Sequence, residues 1–150
     1  MNPSRARDRD ELIAHATAFT EKLSPGRVHA TVLALSGELG AGKTTFAQGI
    51  AAALGVEETV TSPTFVIEKI YELENQPFDH LIHIDAYRLK SGHELKVLGW
   101  EEVMREAGNL ILLEWPERVA DIIPAHAIRI HFEIEGDGRT ITIDGSKENS

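Results

Sequence analysis

Gly37-Glu38-Leu39-Gly40-Ala41-Gly42-Lys43-Thr44 decides the fold. Two glycines are spaced as a phosphate loop requires, and Lys then Thr close the pattern. Gly37, Gly40 and Gly42 let the backbone turn tightly and approach a phosphate with no Cβ in the way. Successive N–H groups then point inward as an anion nest. Lys43 adds a mobile positive charge for the β- and γ-phosphates, and Thr44 offers a hydroxyl to Mg²⁺.

The flanks supply the context this loop needs. Thr31 to Leu35 is apolar and reads as a buried strand. Thr45 to Leu54 reads as a helix with Phe46, Ile50 and Leu54 on one face. Strand, loop and helix in that order turn the positive end of the helix toward the bound phosphates.

The chain has 150 residues, a single-domain length with room for a real core. With 42% hydrophobic and 26% charged residues, its composition is that of a soluble globular protein. It contains no cysteine, so disulfides and thiolate metal sites are excluded, which fits a reducing cytoplasm. The first residues form no apolar signal region, and no apolar run is long enough to span a bilayer. The net charge of −9 opposes non-specific binding to nucleic acid, which needs clustered Lys and Arg.

Outward from the loop, Asp8 to Leu23 is predicted to be a helix, with Leu12, Ala16, Phe19 and Leu23 at helical spacing. Ser24-Pro25-Gly26 stops it. Arg5, Arg7 and Arg9 read as a solvated, fraying end or a nucleotide or partner contact. Thr59 to Phe65 packs hydroxyl residues around Pro63, as a simple turn or as a loop that senses a γ-phosphate. Phe65 to Leu73 reads as a strand and Glu74 to Pro77 as a turn.

His80-Leu81-Ile82-His83-Ile84-Asp85 is an apolar strand ending in an acid, and Leu110-Ile111-Leu112-Leu113-Glu114 repeats the device. In a parallel sheet such ends arrive at the nucleotide edge. His83 reads as a core or surface residue, or as part of the site. Short helices are expected after Ser91-Gly92, interrupted at Gly99. Ile128 to Glu135 and Thr140 to Asp144 alternate around Gly136-Asp137-Gly138, an antiparallel hairpin. The tail from Gly145 to Ser150 is polar.

Five blocks, in order, resemble the bacterial TsaE (YjeE) family, the phosphate-loop ATPase subunit of the machinery that makes threonylcarbamoyladenosine in tRNA. They are Gly37 to Thr45, Thr61-Ser62-Pro63-Thr64-Phe65, His83 to Leu89, Glu94-Leu95 with Leu98-Gly99, and Glu114-Trp115-Pro116-Glu117. Ala86 stands where a larger apolar residue is common.

The resemblance implies an α/β, P-loop NTPase-like three-layer sandwich, its mostly parallel central sheet extended by antiparallel strands and the terminal hairpin. It also implies ATP and ADP as ligands, Mg²⁺, and partnership with two paralogous transferase subunits of TsaB and TsaD type. tRNA is then met only indirectly, and no stable homo-oligomer is required. Lys43 and the amides of Gly37, Glu38, Leu39, Gly40, Ala41, Gly42, Thr44 and Thr45 are the expected phosphate contacts. Thr44, Glu114 and Asp85 are the expected metal residues, and Thr64 the γ-phosphate sensor. The family suggests Asp10, Glu11 and Arg139 for the adenine side, and Arg88 is a candidate arginine finger. Two other readings share the loop: a small-molecule kinase, and a nucleotide-dependent interaction module that does not hydrolyse.

Overall fold

The structure is a computed structural model that describes residues 3–38, 40–57 and 68–145. Its strands form one sheet in the order β1-β7-β6-β2-β5-β4-β3. They run Ser4–Ala6 (β1), Thr31–Ser36 (β2), Glu68–Glu72 (β3), His80–Asp85 (β4), Asn109–Glu114 (β5), Ile128–Glu135 (β6) and Gly138–Asp144 (β7). The helices are α1 (Arg9–Glu21), α2 (Lys43–Ala53), α3 (Gly92–Val97), α4 (Trp100–Met104) and the 3-10 turn η1 (Pro116–Ile122).

The centre of the sheet, β6-β2-β5-β4, is parallel. β2, β5 and β4 are mostly apolar runs because both their faces are covered, whereas β6 alternates buried and exposed residues. Leu33, Leu35, Leu81, Leu110 and Leu112 belong to the core shared with α1 and α2. The intervening strand residues Val32, Ile82, Ile84, Ile111 and Leu113 belong to a second core with Leu95, Trp100 and Val119 of α3, α4 and η1. The period-two split is what sorts a double-faced strand into two cores, and the result is a three-layer α/β fold. Antiparallel β3 closes one side, and the β6–β7 hairpin with β1 closes the other.

The predicted elements correspond closely to the observed ones: Asp8 caps α1, Gly99 breaks α3 from α4, and the hairpin turns at Gly136-Asp137. Two features differ. The expected loose N-terminus is β1, paired to β7, with Arg5 bridged to Glu135 at 2.8 Å. Directly after Glu114, where the sequence reading assigns no element, the chain forms η1, entered through Pro116. The strand expected from Phe65 is described only from Glu68, and the Thr61–Phe65 block lies outside the described residues.

Phe132 on β6 positions the phosphate loop. Its ring meets Phe46 of α2 edge-on at 5.3 Å, while a Cβ at Gly37 would stand 2.6 Å from its carbonyl oxygen. Gly37 at φ 145° therefore lets the loop lie directly on β6. Phe132→Ala should cost about 3–5 kcal/mol in urea unfolding, as loss of a buried aromatic does. Ile134→Ala, two residues along and 40% exposed, should change stability by about 0.5 kcal/mol or less.

Candidate functional site

Register sets the site. Leu35 of β2 pairs with Glu114 of β5, and Glu114 pairs with Asp85 of β4. The loop leaves β2 just beyond this row, so loop and both acids reach one edge of the sheet. Paired residues on parallel strands share a face, and Leu35 belongs to the α1–α2 core. Asp85 and Glu114 therefore stand on the same side as the loop and α2.

Between them is a cleft of about 400 Å³. Lys43, Thr44 and Thr45 line it from α2, Gly40 and Gly42 from the loop, and Asp85 and Glu114 from the strand ends. Arg139 lines it from β7 and donates from Nε to the Gly40 carbonyl at 3.1 Å. Gly42, at φ 109°, starts α2 with no side chain bonded to the helix end. A Cβ there would stand 2.6 Å from Leu12 Cδ2. The first amides of α2 therefore have no capping acceptor of their own, an arrangement suited to an anion.

Lys43 is almost fully buried. Its Nζ donates to the carbonyls of Gly37 and Glu38 and sits 3.9 Å from the Trp115 ring centre. Burial lowers its pKa from the ordinary lysine value; the carboxylates of Glu114, Glu117, Asp85 and Glu38 pull the other way. Trp115 reaches this position because its backbone turns left-handed, φ 60°, directly after β5. Its N–H donates back to the Leu35 carbonyl at 3.3 Å, and Pro116 starts η1. The indole also borders a second, open cavity of about 910 Å³, which Gly37 and Glu38 share.

Asp85 accepts from the Tyr87 N–H at 3.0 Å, a local turn that fixes its carboxylate. Glu114 is 2% exposed and takes a hydrogen bond from His83 at 2.6 Å. Among the described residues no group of three or more His, Cys, Asp or Glu could hold a metal by protein ligands alone. Two carboxylates and the Thr44 hydroxyl at one cleft do fit Mg²⁺, which takes one or two carboxylates and completes its shell with phosphates and water.

The remaining expected residues divide. Asp8 and Arg9 line the cleft rather than Asp10 and Glu11. Glu11 is engaged by Arg7, from its backbone N–H at 2.8 Å and its guanidinium at 2.6 Å. Asp8 followed three residues later by Glu11 is a helix-start signature, and it marks Glu11 as a structural partner. Arg88 is exposed and does not line the cleft. Leu39 and Thr64 lie outside the described residues. Tyr87, Trp115 and Asp137 are lining residues that the loop pattern did not announce.

Fold and loop together define a phosphate-loop nucleotide-binding protein of the α/β class. The profile of the family "Threonylcarbamoyl adenosine biosynthesis protein TsaE" matches residues 6–141. The chain belongs to the TsaE family. It is 33% identical over 136 residues to the tRNA threonylcarbamoyladenosine biosynthesis protein TsaE of Borreliella burgdorferi, covering 90% of this chain and 93% of that one. The TsaE of Treponema pallidum is 38% identical, over 75% of this chain and 81% of its own. The crystal structure of Bacillus subtilis YdiB superposes with a TM-score of 0.77 at 30% identity, covering 96% of this chain and 84% of that one.

Lys43→Met keeps the alkyl packing and removes a desolvated charge. Without nucleotide it should be at least as stable as the wild type at neutral pH. The folded pKa is lowered, so the penalty is complete below that value and fades as pH rises toward the ordinary lysine range. Thermal unfolding at a series of alkaline pH values should show the two midpoints converge.

Proposed function

We propose that this chain is a Mg²⁺-dependent ATPase subunit that supports threonylcarbamoyladenosine formation in tRNA. It works as one unit with the two paralogous transferase subunits of TsaB and TsaD type, in the cytoplasm. Membership of the TsaE family supports the pathway. The observation that carries the activity is the cleft that brings the loop, Lys43, Thr44, Asp85 and Glu114 together.

Phosphoryl transfer asks a protein mainly for position and charge. In this reading Lys43 leaves the Gly37 carbonyl and follows the β- and γ-phosphates, while the loop amides of residues 37 to 42 and those of Thr44 and Thr45 hold the chain of oxygens. Thr44, Glu114 and Asp85 hold Mg²⁺, which when bound neutralises phosphate charge. Thr64 contacts the γ-phosphate. Asp8, Arg9 and Arg139 face the remainder of the nucleotide. Asp10 and Glu11 stay on the helix start.

Hydrolysis by the chain alone is slow in this reading. Arg88 does not line the cleft, Arg139 bonds the Gly40 carbonyl and Arg9 bonds Gln48 at 3.0 Å, so each guanidinium lining the described cleft is already engaged rather than poised as a finger. Partner subunits then complete the site.

The direct test is phosphate release with and without the two transferase subunits; stimulation by the pair is expected, and no release in either state would leave a nucleotide-dependent interaction module. Lys43→Ala should abolish productive ATP binding in a folded protein. Glu114→Gln and Asp85→Asn should each slow hydrolysis by roughly 10²-fold, the effect of losing one transition-state contact, and the double variant should be little worse. The isolated chain should bind tRNA weakly at physiological salt, given its net charge of −9.

A further inference from the structure

The His83 side chain is wholly buried on the inner face of β4, one row behind the acids. It pairs in register with Leu112 and reaches diagonally to the carboxylate of Glu114, two residues further along β5. Its Nε2 lies 2.6 Å from Glu114 Oε2, and both side chains are screened from water. The other ring nitrogen, Nδ1, is buried with no hydrogen-bond partner among the described residues. An imidazole at this depth costs free energy unless its polar atoms are used. One nitrogen is spent entirely on Glu114.

We propose that His83 is a positioning residue: its Nε2–H holds Oε2 of Glu114 and so fixes the rotamer in which Oε1 serves the metal. The inference rests on the reading of Glu114 as a Mg²⁺ residue. A carboxylate side chain has more than one staggered rotamer open to it, and Asp85 restrains its own by the Tyr87 amide. For Glu114 the described side-chain donor is His83. Outer partners of this kind fix metal ligands before the metal arrives, and their loss weakens metal affinity or activity by about 10–100-fold. The bulk of the histidine also matters, since it fills core space beside Leu81 and Leu112, so packing and positioning have to be separated.

Mg²⁺ titrations of the full chain bound to a fluorescent ADP separate them. His83→Leu fills the space without the donor, while His83→Gln places an amide N–H near the position of Nε2. The expected result is a folded His83→Leu protein with wild-type ADP affinity in the absence of Mg²⁺ and a Mg²⁺ midpoint raised about tenfold or more. His83→Gln should bring the midpoint back toward wild type. A folded His83→Leu protein with the wild-type midpoint overturns the proposal. If His83→Leu does not fold, the wild-type chain decides: with histidine labelled in nitrogen-15, the His83 Nε2–H resonance should move when Mg²⁺ joins bound ADP, and an unmoved resonance overturns it. A wild-type chain whose ADP affinity ignores Mg²⁺ overturns the metal reading of Glu114 as well, whereas a Mg²⁺-dependent wild type with an unaffected His83→Leu removes only His83.

Discussion

The hydrogen-bonded register of β2, β5 and β4 is the constraint on which the site depends. Leu35, Glu114 and Asp85 form one row, and this row is where the phosphate loop leaves the sheet. Shifting β5 by one residue would exchange the cores, because side chains alternate between faces. Glu114 would then face the α3–η1 layer and Leu113 the loop. The continuous apolar strands prevent this less by pattern than by fit: both faces accept apolar residues, but only one register gives the carboxylate both His83 and a place in the lining of the cleft. The parallel ladder thus converts a packing problem into the placement of two acids.

Charge balance in the cleft follows from that placement. One buried ammonium sits among Glu114, Glu117, Asp85 and Glu38, and in the described state it turns toward backbone carbonyls and the Trp115 ring. These partners are replaceable: a phosphate chain offers Lys43 stronger acceptors than carbonyl oxygens do. In the proposed reading the metal adds further positive charge between the phosphates and the two acids. Trp115 joins the two halves of the arrangement, since its left-handed backbone ends β5 and its ring covers the lysine.

Much of this was legible in the sequence because it is local. The loop, the start of α2 beyond Gly42, the acid-ended strands and the C-terminal hairpin all follow from spacing and alternation. β1 was not legible: three residues carry no period, and their cause is β7, far along the chain. The placement of β6 beside β2 likewise depends on packing between distant segments. Trp115 gave no warning of positive φ, although Pro116 did mark a helix start. His83 was readable in principle. Leu81, His83 and Asp85 share a face by period two, which is the face of Glu114, but only the register between β4 and β5 brings the two side chains together. Asp10 and Glu11 were suggested by the family resemblance alone; the start of α1 does reach the cleft, but through Asp8 and Arg9, and Glu11 is held by Arg7.

The central claim is that one sheet edge holds Mg²⁺ between the nucleotide and the strand-end acids. A crystal structure of the chain with Mg²⁺ and a non-hydrolysable ATP analogue tests it most directly. The account predicts the γ-phosphate in the loop with Lys43 turned onto it, and the metal between phosphate oxygens, Thr44 and the acids of β4 and β5. A nucleotide seated in the second cavity, or one in the loop whose metal stands clear of both Asp85 and Glu114, would contradict it.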